Sequence, residues 1–191
     1  MTPRSALPVL LTATLLLGLP AAATTMLRMD LTGLAQAADT VVHGTVRRME
    51  SRWSGDHRRI VTDVEIEVTE TLKGQASSTV LVVQPGGRVG DIGQIVHGLA
   101  SFAPGEEVVV FLERHGANAF RVTGMAQGKY QVRRSEDSRS VLAVPENTSD
   151  ALLLDPTTRQ PTASQQQTLT LDALKAAIRT ALQQPGKEKR Q

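Results

Sequence analysis

Residues 60–71 (IVTDVEIEVTET) alternate between two sets of side chains more strictly than any other segment of this chain. One set is mainly apolar and comprises Ile60, Thr62, Val64, Ile66 and Val68. The other set is mainly polar and comprises Val61, Asp63, Glu65, Glu67 and Thr69. Successive side chains of a strand point to opposite faces, so this period predicts a strand with one buried face and one solvated, acidic face.

Other short runs rich in β-branched residues are separated by glycine, proline and polar turn clusters. They cover residues 41–48, 79–84, 108–112, 119–123, 129–133 and 140–144. Six or more short strands with this punctuation favour an antiparallel barrel or sandwich. Aromatic residues make up only 3% of the chain, so the core must be built from Val, Leu, Ile and Ala.

A helix is predicted on each side of the β region. The first lies in residues 29–38 and is capped by Asp30, and the second occupies residues 169–184 and is capped by Thr170. The second helix is amphipathic, with one apolar stripe formed by Leu171, Leu174, Ile178 and Leu182. This stripe would dock on the barrel or on a partner.

These segments divide the chain into a β-barrel domain, a linker and a tail. The domain is assigned to residues 29–144, and residues 145–168, rich in Thr, Gln, Pro, Asn and Ser, are interpreted as a polar linker. Residues 185–191 form a polar tail. The predicted fold is therefore mainly β: a small antiparallel barrel with a short N-terminal helix and a C-terminal amphipathic helix.

Residues 1–23 have the pattern of a signal peptide. Arg4 precedes an apolar run at 6–19, which Pro20 ends, and the alanines at 21–23 suit signal peptidase. No later stretch is apolar enough to span a bilayer. We therefore expect an exported bacterial protein, periplasmic or secreted, with no stable membrane insertion after cleavage.

The chain contains no cysteine, which excludes disulfides, thiolate metal sites and a cysteine nucleophile. The formal net charge is only +2, and the basic residues are spread along the chain. Arginines flank Trp53, an arrangement that would suit single-stranded nucleic acid. However, the chain has too few aromatic residues for a stacking platform, so no nucleic-acid partner is predicted.

Three strings together suggest a family. They are residues 38–46 (ADTVVHGTV), 70–74 (ETLKG) and 102–112 (FAPGEEVVVFL). Residues 31–132 resemble an uncharacterised family of exported bacterial proteins and, more distantly, the netrin-like domain of tissue inhibitors of metalloproteinases. The resemblance implies an OB-like five-stranded barrel that binds partners through its rims and loops. Those inhibitors chelate the catalytic zinc through an N-terminal cysteine, so their mechanism does not carry over to this chain.

Motifs for catalysis or for a cofactor are not found. The histidines His43, His57, His97 and His115 lie in separate segments without metal-ligand spacing, and the chain lacks a G-x-S-x-G turn. Neither a metal nor a cofactor is predicted. Carboxylates at 63, 65 and 67 could act as acid and base, but an exposed acidic face explains them better.

A glycine-rich segment at 85–98 (PGGRVGDIGQIVHG) lacks the Lys-Ser/Thr of a phosphate loop. Glycines at barrel corners explain this composition, and the loop would offer contacts to a partner. The candidate partner contacts are Trp53, Gly86, Gly87, Arg88 and Asp91.

The function these observations favour is a non-enzymatic binding module for an unknown protein partner. Two alternatives stay open. The protein could inhibit or assist an exported metalloprotease, or it could be an enzyme with a dispersed site that uses His97, Ser101 or Glu106.

Overall fold

The structure is a computed structural model that describes residues 24–134 and 140–184. The predicted signal peptide (1–23) and polar tail (185–191) lie outside the described residues. In chain order the elements are β1 (Thr25–Leu27), α1 (Leu31–Ala37), β2 (Thr40–Trp53), β3 (Ile60–Lys73), β4 (Thr79–Pro85), β5 (Gly87–Val89), β6 (Ile92–Gln94), β7 (Glu107–His115), β8 (Ala119–Val122), a 3-10 turn (Met125–Gly128), β9 (Lys129–Arg134), β10 (Val141–Pro145), β11 (Leu152–Leu154), β12 (Leu169–Thr170) and α2 (Leu171–Gln183).

Five of these strands pair in a ring. β2 pairs with β3 and β7, β3 pairs with β4, and β7 pairs with β8. One pair, Val82 with Phe120, joins β4 to β8 and completes the ring. The prediction of a mainly β, OB-like fold with two flanking helices is thus confirmed in a barrel-like form. The β4–β8 contact is parallel, however, and not antiparallel as expected, because strand periodicity carries no information about pairing direction.

β3 alternates as its sequence predicts. Ile60, Val64 and Ile66 are buried, whereas Glu65 and Glu67 lie on the outer face. Arginines of β2 form ion pairs with the acidic side chains on that outer face. Arg52 Nε lies 2.7 Å from Asp63 Oδ2, and Arg47 forms an ion pair with Glu67.

Two hydrophobic clusters share β7 as a common wall. Val108, Val110 and Leu112 face the inside of the ring. Val109 and Phe111 face the opposite side, where they pack against α1, α2 and β9. Both faces of β7 are therefore buried, which explains its continuous apolar run (VVVFL).

Both helices are capped as predicted. The N–H of Gly33 donates to Asp30 Oδ1 at the start of α1, and the N–H of Ala173 donates to Thr170 Oγ1 at the start of α2. The apolar stripe of α2 lies in the second cluster through Leu171, Leu174, Ile178 and Ala181. The C-terminal helix thus docks on the body of the same chain.

Residues 145–168 were expected to be a polar linker, and part of this segment is packed against the body, whereas most of residues 156–168 are exposed. β11 pairs in parallel with β1, which precedes the expected domain start, and Leu153 is buried. Gln166 Nε2 donates to the carbonyl of Gln127 and to Tyr130 Oη. Polar side chains hold this segment through hydrogen bonds, a kind of anchoring that composition does not reveal.

No helix in residues 24–134 and 140–184 has the length and apolar character needed to cross a membrane.

Candidate functional site: a cavity between diverging strands

The ring of strands opens on one side of the pair Val82–Phe120. Beyond this pair β4 continues as residues 83–85 and β8 as 121–122, in the same direction but without pairing to each other. A cavity of about 650 Å³ lies where they diverge. We call it the β4–β8 cavity, and it is lined by Ser54, Gly55, Asp56, Arg59, Val61, Val83, Gln84, Pro85, Leu99, Glu113, His115, Arg121, Val122, Gly124 and Met125.

The floor of the cavity is apolar. Val82 points into the ring, so its neighbour Val83 points outward, and Val61 does the same on β3. Both side chains are half-buried. Leu99, Val122 and Met125 extend this surface from other segments. Aliphatic side chains therefore occupy positions on the outer face where alternation predicts polar residues.

Carboxylates at the rim of the cavity are already engaged. Glu113 Oε1 lies 2.6 Å from Arg121 Nε. Asp56 accepts hydrogen bonds from Ser54 Oγ at 2.6 Å and from the N–H of Arg58 at 3.2 Å. The Ser54 hydrogen bond, followed by that of Arg58, lowers the pKa of Asp56 below its ordinary value. Glu113 is therefore held in an ion pair, and Asp56 is held by hydrogen bonds.

The rim also carries two basic side chains, those of Arg59 and His115. The guanidinium of Arg59 forms no hydrogen bond or ion pair with the described residues, but its positive charge helps to lower the pKa of Asp56. The imidazole of His115 is exposed at the same rim. The main chain of Arg59 is held firmly: its N–H donates to Ser54 Oγ at 3.1 Å and its carbonyl accepts from the N–H of Ser54 at 2.8 Å.

A second cavity lies on the other side of the Val82–Phe120 pair. It measures about 410 Å³ and is lined by residues of β4 and β8 that precede the pair, Leu81 among them. Its lining also includes Gln75, Ser77, Thr79 and Asn118, so its surface is more polar than that of the first cavity. Leu81 is half-buried on the same outward-facing row of β4 as Val83.

The predicted contacts Gly86 and Gly87 lie at the base of the β5–β6 hairpin, where they allow close backbone approach. Thr62 Oγ1 donates to the carbonyl of Gly86 at 2.7 Å. Gly87 has φ of +127°, and a Cβ there would lie 2.3 Å from Ser51 Oγ and 2.4 Å from Thr62 Oγ1. The structural role of Gly87 is therefore to let the hairpin pack onto β2 and β3.

Of the remaining predicted contacts, Trp53 lies on β2 near the base of this hairpin, and Arg88 and Asp91 lie within the hairpin itself. Trp53 is half-buried and pairs with Ile60, whose N–H donates to Gln94 Oε1 at the hairpin base. Arg88 and Asp91 are exposed farther out, next to the exposed Ile92. None of the five predicted contacts lines the β4–β8 cavity.

Of the three residues of the alternative dispersed site, two are joined in one ion network and the third lies apart from it. Ser101 Oγ donates to Glu146 Oε1 at 2.7 Å, and Glu106 Oε1 accepts from Lys129 Nζ at 2.6 Å. Lys129 also donates to Glu146 Oε2 at 2.8 Å. His97 instead lies beside Asp150, with 3.6 Å between Nδ1 and Oδ2. Ser101 and Glu106 thus belong to one buried ion network that does not include His97.

His43 is the most buried of the four histidines. Its Nε2 lies 2.7 Å from Glu107 Oε1, while its buried Nδ1 has no hydrogen-bond partner within the described ranges. Among residues 24–134 and 140–184, no three His, Asp or Glu side chains meet as a metal site would require.

Sequence reasoning missed the cavity because it depends on how two strands diverge. One signal was present: Val61 and Val83 are apolar at positions where the alternation of β3 and β4 places the outer face. No protein-family model matches the chain, and no curated protein matches it either.

Proposed function

We propose that this protein is a non-enzymatic binding module and that the β4–β8 cavity is its ligand site. The observation that carries the proposal is the combination of an apolar floor, at Val61 and Val83, with a polar rim that includes the exposed side chains of Arg59 and His115. The volume of the cavity, about 650 Å³, falls in the range of about 300–1,000 Å³ that is typical of ligand pockets.

The residues of the dispersed-site alternative, His97, Ser101 and Glu106, do not line the β4–β8 cavity, and this favours binding over catalysis at the proposed site. Ser101 Oγ donates to Glu146, and that carboxylate also accepts from Lys129. This arrangement is typical of a structural ion network, in which each group satisfies another.

Export is part of the proposal and rests on the signal-peptide pattern of residues 1–23. The netrin-like relationship rests on the resemblance of residues 31–132 and stays a prediction. Inhibition of an exported metalloprotease rests on the resemblance alone and stays a prediction.

Affinity capture with matched variants tests the proposal. The full chain is expressed in its bacterial envelope with an affinity tag, as wild type, Val83→Arg and Leu81→Arg. Val83→Arg fills the cavity floor with a charged side chain, whereas Leu81→Arg makes the same change two positions earlier on the same strand, outside the cavity. Circular dichroism verifies that each variant folds.

We expect a ligand or partner that co-purifies with wild type and Leu81→Arg and is lost from Val83→Arg. Equal recovery with all three proteins would place binding elsewhere on the molecule. Turnover of a substrate by the purified wild type, abolished by Ser101→Ala or Glu106→Gln in a folded variant, would contradict the non-enzymatic assignment.

A further inference from the structure

The second half of β2 has one open edge. Residues 48–53 pair with residues 60–65 of β3 in regular antiparallel register, whereas the pairing of β2 with β7 stops at Thr45. Val46 is the last residue of β2 whose main chain bonds to the loop before β7. Beyond it, no strand in residues 24–134 and 140–184 pairs with the edge of β2 that faces away from β3. We call this stretch, at residues 49–53, the open edge of β2.

The alternation of the main chain shows which groups face the open edge. The N–H of Ser54 donates to the carbonyl of Arg59, just before β3. Main-chain groups of successive strand residues point to opposite sides, so every second residue before Ser54 points away from β3. These residues are Met49, Ser51 and Trp53. Within the described part of the chain, the one hydrogen bond to their outward main-chain groups runs from Arg52 Nη1 to the Trp53 carbonyl at 3.4 Å.

The β5–β6 hairpin packs near this edge without pairing to it. The hairpin lies over the inner face of the sheet, because a Cβ on Gly87 would meet the side chains of Ser51 and Thr62, which face each other. β5 pairs with β6 and with no other described strand. Residues 49–53 also contain no proline and no bulge, two features that commonly protect an edge strand. The main chain of this edge is therefore able to pair with an added strand.

The side chains of the open edge are complementary to a second copy of themselves. Counted outward from Ser51, Glu50 is matched by Arg52, and Met49 is matched by Trp53. Two copies paired antiparallel about Ser51 therefore set Glu50 of each directly opposite Arg52 of the other on the outer face. On the inner face they set Met49 opposite Trp53, which is half-buried in the single chain. Opposite charges and sulfur–aromatic contacts in facing positions stabilise paired strands.

Neighbouring registers lose this match. One step in one direction sets Glu50 against Glu50, and one step in the other direction sets Arg52 against Arg52. Like charges that face each other across two strands are destabilising. Longer shifts run into the part of β2 that β7 already occupies, or leave most of the open edge unpaired. The charge pattern therefore selects one register, in which all three outward-pointing residues of each copy are paired.

The charges of the open edge have partners within the chain, and a second copy would add to them. Asp63 accepts from Arg52 Nε at 2.7 Å and from Nη2 at 3.1 Å, and Glu50 forms an ion pair with Arg48. Glu50 and Asp63 also face each other on adjacent strands, where two carboxylates repel. Arg52 of a second copy would lie beside Glu50 in the same row of the sheet. Pairing therefore reduces a repulsion that is present in the single chain.

We propose that the open edge of β2 is a self-association surface, through which two copies pair antiparallel about Ser51 and form a twofold-symmetric dimer with a continuous sheet. This inference goes beyond the proposed function, since none of residues 49–53 lines the β4–β8 cavity. The contact uses five residues of each copy and is smaller than a standard interface. The dimer should therefore be weak and should depend on protein concentration.

Sedimentation velocity at protein concentrations from about 1 to 500 μM tests the inference. The full-chain wild type is compared with Glu50→Arg, with Arg52→Glu and with an equimolar mixture of these two variants. Each variant alone sets like charges against each other, whereas in the mixture a copy with two arginines faces a copy with two glutamates. Arg114→Glu is the matched control, because it makes the same charge change at an exposed position of β7, beyond the other end of β2. Circular dichroism verifies that each variant folds.

We expect wild type and Arg114→Glu to dimerise with dissociation constants within about twofold of each other. Each charge variant alone should raise the dissociation constant at least about tenfold, and the mixture should restore it to within about threefold of wild type. The emission of Trp53, the one tryptophan of the chain, should shift to shorter wavelength as the dimer forms. Val83→Arg, which changes the cavity floor, should dimerise as wild type does.

Ser51→Pro gives a second measurement that does not depend on charge. It removes the N–H that would pair across the twofold axis, and proline is tolerated on an open strand edge. Ser51→Ala is its control, because both variants lose the 2.9 Å hydrogen bond between Ser51 Oγ and Thr62 Oγ1 but alanine keeps the N–H. We expect Ser51→Pro to abolish the dimer and Ser51→Ala to leave its dissociation constant within about threefold of wild type.

Three results would overturn the inference. A wild type that stays monomeric over the whole concentration range would do so and would leave the cavity as the proposed ligand site. A dimer that persists in Ser51→Pro and in both charge variants would assign self-association to another surface. A dimer that is lost in Val83→Arg and kept in the variants of β2 would assign the β4–β8 cavity to a second copy.

Discussion

The ammonium of Lys129 lies 2.6 Å from the carboxylate of Glu106, and only 1% of the lysine side chain is exposed. The same ammonium donates to Glu146 and to the carbonyl of Ser101, so all three of its N–H groups are used. It also lies 5.0 Å from the centre of the Phe102 ring. This one side chain thereby joins β9 to the loop before β7 and to the segment after β10.

Removing this ammonium should destabilise the protein strongly. Lys129→Met leaves two largely buried carboxylates facing each other without a cation, and we expect a loss of about 3–5 kcal/mol in the free energy of unfolding. Urea denaturation at pH 7 measures it. Lys129→Met combined with Glu106→Gln and Glu146→Gln should recover part of the loss, because no unpaired charge is then buried. A loss below about 1 kcal/mol for the single variant would contradict this account.

Tyr130 should titrate at unusually high pH. Burial raises its pKa to about 12, against a smaller opposing effect of the hydrogen bond from Gln166. Because it is the one tyrosine in the chain, the phenolate absorbance near 295 nm reports this residue alone. We expect a midpoint near 12 in the folded protein, and a value close to that of free tyrosine, about 10, in the unfolded chain. Equal midpoints for the folded and unfolded protein would contradict the prediction.

This difference in pKa has a consequence for alkaline stability. Folding raises the pKa of Tyr130, so the contribution of this residue to the free energy of unfolding is fully present below its unfolded-state pKa. This contribution is lost as the pH rises through the folded-state pKa. The free energy of unfolding should therefore fall between about pH 10 and 12. Tyr130→Phe should be less stable than wild type at pH 7, since it loses the Gln166 hydrogen bond, but should show a shallower decline over that range.

Glu70, near the end of β3, forms ion pairs with Lys175 and Arg179 of α2. These ion pairs should stabilise the protein at neutral pH but not at acidic pH. The hydrogen bond from Lys175 is the main cause that lowers the pKa of Glu70, with a further contribution from Arg179. A lowered folded-state pKa means that the contribution is present above the unfolded pKa and disappears as the pH falls through the folded value. We expect Glu70→Gln to lower the melting temperature at pH 7 but not at pH 3.

The size of this effect should be modest, within about 1 kcal/mol, because the Glu70 carboxylate is partly exposed to solvent. Glu50→Gln is the control, since Glu50 is exposed on β2 and pairs only with Arg48 among the described residues. A difference between wild type and Glu70→Gln that persists unchanged at pH 3 would show that the ion pair is not its source.

Gly87→Ala should destabilise the β5–β6 hairpin. The new methyl group would lie 2.3 Å from Ser51 Oγ, and φ of +127° is strained for any residue with a Cβ. Strain of this kind is on the order of 1–3 kcal/mol, to which the steric clash adds. Gly55→Ala is the matched control, because a Cβ there meets nothing within 4 Å. Thermal unfolding of both variants measures the difference, and equal melting temperatures would contradict the role assigned to Gly87.

Local signals in the sequence predicted the elements whose structure depends on nearby residues. The alternation of β3 and the caps Asp30 and Thr170 are confirmed because period and side-chain hydrogen bonding act over a few residues. The packing of residues 145–168 was not predictable in this way. It depends on contacts across the fold, such as the pairing of Leu153 with Met26 and the hydrogen bond from Gln166 to Tyr130.

The candidate site depends still more on long-range geometry. Its existence follows from a single pair, Val82 with Phe120, beyond which β4 and β8 separate. Outward-facing Val61 and Val83 were visible in the sequence, but a half-exposed valine is common on strand surfaces. The glycine-rich segment instead forms a hairpin, at whose base Gly87 allows close packing against Ser51 and Thr62.

The position of β7 between the two hydrophobic clusters has a consequence for cooperativity. Val110 belongs to the cluster inside the ring and its neighbour Phe111 to the cluster under the helices. Detachment of this strand would expose both clusters to water at once. We therefore expect any unfolding event that releases β7 to disrupt the ring and the helical layer together.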